Sequence, residues 1–165
     1  MSSPVAFKLL TTAEAIVGEN ESETNLLREM LHSAEAYLRS FKWCPGIAER
    51  FLGFGVGGIV AVFLFRMPKK VGADDLLWVI DGDLPSAYLV TDKAPDPAAA
   101  LSVYAGLMED WARAVLDGSP LEALFPVAAP ATSEHANMLL TRVQYLRDSI
   151  IPICRERLRL GDSDG

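Results

Sequence analysis

The feature that most limits the possible folds is an uncharged, mostly apolar run of 15 residues, 51–65, between Arg50 and Arg66. A membrane-spanning helix needs about 20 such residues, with a range of about 17–25. The run is interrupted by Gly57-Gly58, and both sides of this pair are rich in Phe, Val, Ile and Leu. Two β-type segments around a glycine pair are typical of a β-hairpin. We therefore expect 50–56 and 59–67 to be buried strands and expect no membrane association.

A second pair of β-type segments, 76–80 and 87–91, follows after a loop with the sequence DGDLP. Helical periodicity lies on both sides of this strand block. The pattern predicts an α+β domain over residues 1–160, with about four antiparallel strands in residues 48–92. These strands would pack against four to five helices from both chain ends, and residues 161–165 would form a frayed tail.

The helices are predicted from apolar spacing and from residues that begin or end helices. Ser3-Pro4 would start a first helix that ends at Gly18, and Asn20 or Ser22 would cap a second. A third would begin after Asp96-Pro97 and end at Gly118. Thr132 or Ser133 would cap a last helix that Pro152 ends or kinks.

The residues 53–58 match the dinucleotide-binding pattern G-x-G-x-x-G. That pattern needs a helix directly after the glycines, and the next residues are instead β-branched and aromatic. We therefore expect the glycines to serve a strand or a turn, and we predict no cofactor. Asp81 and Asp83 could bind a divalent metal ion or act as an acid–base pair, although Asp and Gly are also common in ordinary turns.

The remaining candidates for metal or redox chemistry are His32, His135, Cys44 and Cys154. Their spacing matches no zinc motif, and Cys44 lacks the second cysteine of a C-x-x-C site. We predict no metal site and no catalytic residue. Cys44 and Cys154 could form one disulfide, but we favour two reduced thiols. The N-terminal residues lack the basic segment of a signal peptide, which predicts a cytoplasmic location.

Charge is unevenly distributed along the chain, whose formal net charge is −7. Residues 39–70 carry a net charge of +5, whereas residues 71–141 carry −9. An acidic surface disfavours nucleic acid, which is bound through Lys and Arg, and favours a basic protein partner. The acids between residues 71 and 112 are Asp74, Asp75, Asp81, Asp83, Asp92, Asp96, Glu109 and Asp110.

Aromatic residues near these acids could anchor a partner, since Trp and Tyr are enriched in binding hot spots. The candidates are Trp43, Trp78, Tyr88 and Trp111, of which we expect Trp78 and Trp111 to be core residues. The resulting candidate partner-binding residues are Asp81, Asp83, Asp92 and Tyr88.

The segment 77–90, LWVIDGDLPSAYLV, resembles a segment of a family of small uncharacterised bacterial proteins. Ala100-Leu101, Tyr104, Met108, Trp111 and residues 125–127 fit the same pattern, so the resemblance covers about residues 40–150. These proteins are similar to immunity proteins, which neutralise toxins of interbacterial competition. The resemblance identifies no site residues.

Together these observations predict a non-enzymatic, acidic protein-binding domain of the immunity type, which occludes the basic surface of a toxin. The alternative is a small-molecule- or metal-binding domain, or an enzyme, that uses the Asp81/Asp83 loop. The sequence leaves the oligomeric state open.

Overall fold

A computed structural model describes residues 5–68 and 75–163 of the chain. Asp74, the Ser3-Pro4 pair and residues 164–165 lie outside this part. Contacts between residues divide the chain into two compact units, Met1–Ala100 and Leu101–Gly165, so a single domain over residues 1–160 stays a prediction. The elements are β1 (Thr11–Thr12), α1 (Glu21–Arg39), β2 (Glu49–Val56), β3 (Val60–Arg66), β4 (Leu76–Gly82), β5 (Ala87–Val90), α2 (Pro97–Asp117), α3 (Ser133–Tyr145), a π-helical segment (Leu146–Ile150) and α4 (Ile151–Ser163).

The α+β class is correct, but the predicted numbers of strands and helices are wrong. The sheet has five antiparallel strands in the order β1-β2-β3-β4-β5. The described residues form three helices longer than one turn, because α3, the π-helical segment and α4 continue into one another.

The helix expected over residues 5–17 does not form, and this segment supplies the additional strand. It consists of two 3-10 turns, Phe7–Leu9 and Ala13–Ala15, on either side of β1. The β-branched residues Thr11 and Thr12 pair with Leu52 and Phe51 of β2. A helical stripe would turn all its apolar residues inward, yet Val17 is 75% exposed. The apolar spacing of the segment therefore did not reflect a helix.

Both predicted hairpins are confirmed. The apolar run forms β2 and β3, which pair antiparallel, and Gly58 takes the positive φ of +79° that the turn between them requires. β4 and β5 pair likewise, with Ile80 opposite Ala87 and Trp78 opposite Leu89. None of the helices in the described part of the chain has the length and apolar content that crossing a membrane requires.

Helix α1 begins at the predicted cap, where the side chain of Asn20 accepts a hydrogen bond from the backbone N–H of Glu23. Its apolar side chains are buried against one side of the sheet, which alternate residues of β3 and β4 form. The residues in this contact are Leu27, Met30, Leu31, Ala34 and Leu38 of α1, and Ala61, Phe63, Phe65, Leu77 and Val79 of the sheet.

The last helix continues beyond Pro152, which was expected to end or kink it. Proline has no N–H, and its ring would collide with the carbonyl group four residues earlier in an α-helix. The turn before Pro152 is instead π-helical, with the N–H of Ile151 bonded to the carbonyl of Leu146. This wider turn accommodates the proline, and helical structure extends to Ser163, within the tail expected to fray.

Candidate functional site

The β4–β5 hairpin carries the four predicted site residues at different depths. Asp81 lies in β4 and is buried, whereas Asp83 in the following loop and Asp92 after β5 are exposed. Tyr88 lies in β5 and is half-buried. Because side chains alternate along a strand, Asp81 and Tyr88 are on the side of the sheet that α1 covers, as is Val79 opposite Tyr88.

Asp81 connects the hairpin to α1. Its Oδ1 atom accepts hydrogen bonds from the Ser33 hydroxyl of α1 at 3.0 Å and from the Ser86 hydroxyl at 3.1 Å. Burial raises the pKa of the Asp81 carboxyl, and the two hydroxyl bonds act in the opposite direction. Since only 7% of Asp81 is exposed, this acid supports the hairpin and adds little to the exposed acidic surface.

Four aromatic rings form a cluster where the end of α1 meets β5. We call Tyr37, Phe41, Trp43 and Tyr88 the aromatic cluster. The Tyr88 ring lies 5.1 Å from the centroids of both Phe41 and Trp43, in edge-to-face contacts. Phe41 and Trp43 stack at 5.7 Å, and Trp43 is 44% exposed. The cluster therefore presents a large ring to solvent in an orientation that its neighbours fix.

Tyr37 lies beside Tyr88 of β5, with 6.4 Å between the two ring centroids. This strand is the last of the sheet, so its outward backbone groups have no partner strand among the described residues. Burial raises the pKa of the Tyr37 hydroxyl to about 12, and a hydrogen bond with the Tyr88 backbone opposes the shift.

The surroundings of the aromatic cluster carry charges of both signs. Asp83 and Asp92 flank β5 in sequence, and Asp92 is at most about 14 Å of extended chain from Tyr88. Lys42 directly precedes Trp43, and Lys93 follows Asp92; both are exposed. The acidic excess is therefore a property of the whole segment and is weaker immediately around Trp43.

Three residues at this site were missed by the sequence analysis. Ser33, Tyr37 and Phe41 follow one another at four-residue intervals, next to the buried stripe of α1. This spacing places Ser33 and Tyr37 in one row along α1, and Phe41 follows just after the helix ends at Arg39. The row is visible in the sequence, but its contact with β5 depends on the tertiary packing.

A separate groove of about 480 Å³ lies in the second unit. Trp111 and apolar residues of the loop after α2 line it, together with Glu122. The groove shares no residue with the Asp81/Asp83 loop. It is lined by Trp111, Leu121, Glu122, Leu124, Phe125, Pro126, Val127, Ala129 and Ala131.

The remaining candidates from the sequence are the two tryptophans Trp78 and Trp111, the two cysteines and the possible metal ligands. Trp78 and Trp111 are buried, which confirms that they are core residues, and the Trp78 indole donates to the Ala94 carbonyl at 2.7 Å. Both cysteines are thiols. Within residues 5–68 and 75–163, no group of three or more His, Cys, Asp or Glu side chains is arranged to hold a metal ion.

The chain was also compared with known proteins. Comparisons with protein-family models, with curated proteins and with solved structures find no significant match.

Proposed function

We propose that this chain is a protein-binding domain that docks a basic partner on the surface around β5. The observation that carries the proposal is Trp43, a half-exposed ring held against Phe41 and Tyr88 beside the outer strand of the sheet. Trp and Tyr dominate binding hot spots because they bury a large area with few rotatable bonds. A ring already fixed by its neighbours loses less conformational freedom when a partner binds.

Asp83 and Asp92 are the exposed groups that would attract a basic partner to this surface, where Lys42 and Lys93 are also exposed. Asp83 and Asp92 lie on either side of β5 in the chain, whereas Asp81 is buried beneath α1. Exposed charges at the rim of an interface act mainly on the association rate and respond to salt. Asp83 and Asp92 would therefore steer the partner, and Trp43 and Tyr88 would hold it.

The narrower proposal is an immunity-type inhibitor, which neutralises a toxin by covering its basic active surface without catalysis. Its support is the resemblance of residues 77–90, the segment that carries Asp83 and Tyr88, to a bacterial family similar to immunity proteins. A toxin and its inhibitor are expected from adjacent genes.

The test co-expresses the full chain with the product of the neighbouring reading frame. We expect that product to stop growth and the wild-type chain to restore it. Trp43→Ala should weaken binding of the purified pair by at least 2 kcal/mol, roughly 30-fold, as expected for a hot spot. Asp83→Lys with Asp92→Lys should slow association, and more so at low salt.

Glu21→Lys is the control for net charge, because Glu21 is an exposed acid at the start of α1, twelve residues before Ser33. It lies outside the group of Ser33, Tyr37 and Phe41 that contacts β4 and β5. If the neighbouring product is harmless, the toxin version is wrong. If an identified partner binds the Trp43→Ala protein as tightly as the wild type, the docking surface is wrong.

The burial that raises the pKa of Asp81 favours a second candidate, since perturbed carboxyls are common in active sites. This is a small-molecule- or metal-binding domain, or an enzyme, that uses the Asp81/Asp83 loop. Calorimetric titration with Mg²⁺, Mn²⁺, Ca²⁺ and Zn²⁺ tests the metal version. Binding heat that Asp83→Asn abolishes would support it, and the absence of heat with all four ions would reject it.

A further inference from the structure

The last helix carries a row of exposed apolar side chains along its whole length. Met138, Tyr145, Ile153 and Leu160 are 44%, 46%, 44% and 50% exposed. They are separated by seven, eight and seven residues. Seven residues bring a helix back to nearly the same direction after two turns, which is the spacing of side chains that pack between two helices.

The eight-residue step would break the row in a regular α-helix, because eight residues advance about 80° beyond two turns. The π-helical segment Leu146–Ile150 lies within this step, between Tyr145 and Ile153. A π-type turn contains one more residue than an α-turn, so it absorbs the additional residue. The four side chains consequently stay on one face, about 33 Å long at 1.5 Å per residue.

The two sides of this row carry opposite charges. In an α-helix, positions i+3 and i−4 lie on one side of residue i, and positions i+4 and i−3 lie on the other. On one side of the row, Glu134 lies four residues before Met138 and Glu156 lies three residues after Ile153. The other side has Arg142 and Arg157.

We propose that this helix pairs with the same helix of a second copy of the chain, in parallel and in register. A two-fold axis parallel to the helices places the acidic side of one copy against the basic side of the other. Glu156 is then level with Arg157 of the second copy, while the four apolar residues meet their counterparts. Antiparallel pairing would instead place like sides together, with Arg157 opposite Arg142 of the second copy.

The expected dimer is weak. Stable protein interfaces bury about 1,200–2,000 Å², and one row of four side chains covers less than a full two-row seam. Glu156 also pairs with Arg159 of its own helix, so Arg157 of the second copy must share its carboxylate. We expect a dissociation constant of roughly tens to hundreds of micromolar.

Sedimentation velocity of the full chain from about 5 to about 500 µM tests the dimer. The average mass should rise from monomer toward dimer, and Ile153→Arg or Leu160→Arg should raise the dissociation constant at least tenfold. Val17→Arg, at an exposed apolar residue in the connector before α1, is the control that should leave association unchanged. Circular dichroism checks that each variant keeps its helices.

Charge variants test the orientation. Arg157→Glu should weaken the parallel dimer, because it faces Glu156 of the second copy, and adding Glu156→Arg should restore association. Tighter association of the single Arg157→Glu variant would show antiparallel pairing and overturn the proposal. A monomer at every concentration, or a dimer insensitive to Ile153→Arg, would also overturn it. Either result leaves the partner proposed for the β5 surface untouched, since that test uses Trp43 and Asp83.

Discussion

Substitutions at Asp81 measure how far this carboxyl holds the β4–β5 hairpin to α1. Asp81→Ala removes the acceptor of two hydrogen bonds, from Ser33 at 3.0 Å and Ser86 at 3.1 Å. Each such bond contributes about 0.5–1.5 kcal/mol, and the exposed Ser33 can bond to water instead. We therefore expect Asp81→Ala to lower the free energy of unfolding by about 1–2 kcal/mol at neutral pH.

Asp81→Asn separates the charge from the hydrogen bonds, because asparagine retains an Oδ1 acceptor. Burial raises the pKa of Asp81 in the folded chain above its ordinary value of 3.8. Below that value the carboxyl is neutral in both the folded and the unfolded chain, and it has no electrostatic effect on stability. As the pH rises through the folded pKa, the buried carboxylate destabilises the folded chain. The wild type should therefore lose stability relative to Asp81→Asn between acidic and neutral pH.

Urea unfolding of the wild type and of Asp81→Asn at a series of pH values measures this difference directly. Asp83→Asn is the matched control, because Asp83 is exposed two residues further along the chain. If the stability difference between the wild type and Asp81→Asn is constant with pH, or if the wild type gains relative stability as the pH rises, the reasoning about burial is refuted.

Three further predictions concern Gly82, Tyr37 and Trp78. Gly82 has a φ of +149°, and an added Cβ would lie 2.8 Å from the Val60 Cα. Gly82→Ala should therefore lower the free energy of unfolding, measured in urea, by at least about 2 kcal/mol. Gly106→Ala is the control, because Gly106 lies in a helix with open space around it, and this change should raise the free energy of unfolding slightly. The raised pKa of Tyr37, about 12 against 10.0, means that the wild type should lose stability relative to Tyr37→Phe as the pH rises above 10, and equal alkaline unfolding curves would contradict this. Trp78→Phe removes the donor to the Ala94 carbonyl and should cost about 1–3 kcal/mol in thermal unfolding; no change would show that this bond does not stabilise the fold.

The turns and helix ends were predicted correctly where residues close in sequence decide the structure. The Gly57-Gly58 turn, the Asn20 and Thr132 caps and the end of α2 at Gly118 all lie where expected. Each of these depends on residues within a few positions of one another, where backbone conformation and side-chain capping decide the structure.

The errors arose where distant residues decide the structure. β1 exists because Thr11 and Thr12 pair with residues about 40 positions later, in β2. The helical spacing of residues 5–17 was therefore overridden by strand pairing. Pro152 indicated that the helix is irregular at this point. The backbone accommodates the proline with a wider, π-helical turn, and this outcome depends on packing on either side of the proline.

The same distinction applies to the site. Asp83, Asp92 and Tyr88 were predicted as partner-binding residues because their residue types and positions in a loop or strand are visible in the sequence. The roles of Ser33, Tyr37 and Phe41 depend on the packing of α1 beside β5, which no local pattern specifies.

The D-G-D sequence therefore combines two structural residues with one exposed acid. Asp81 accepts the hydroxyls of Ser33 and Ser86, and Gly82 takes a backbone conformation that other residues rarely adopt. Charge reversal at Asp81 would place a buried lysine under α1, and any loss of binding would then follow from damage to the hairpin. Asp83 is exposed, so reversal there changes the charge beside β5 without burying a lysine. If Asp81→Lys weakens partner binding and Asp83→Lys does not, the loss reflects damage to the fold. Only weaker binding of the Asp83 and Asp92 variants would support recognition of a basic partner surface.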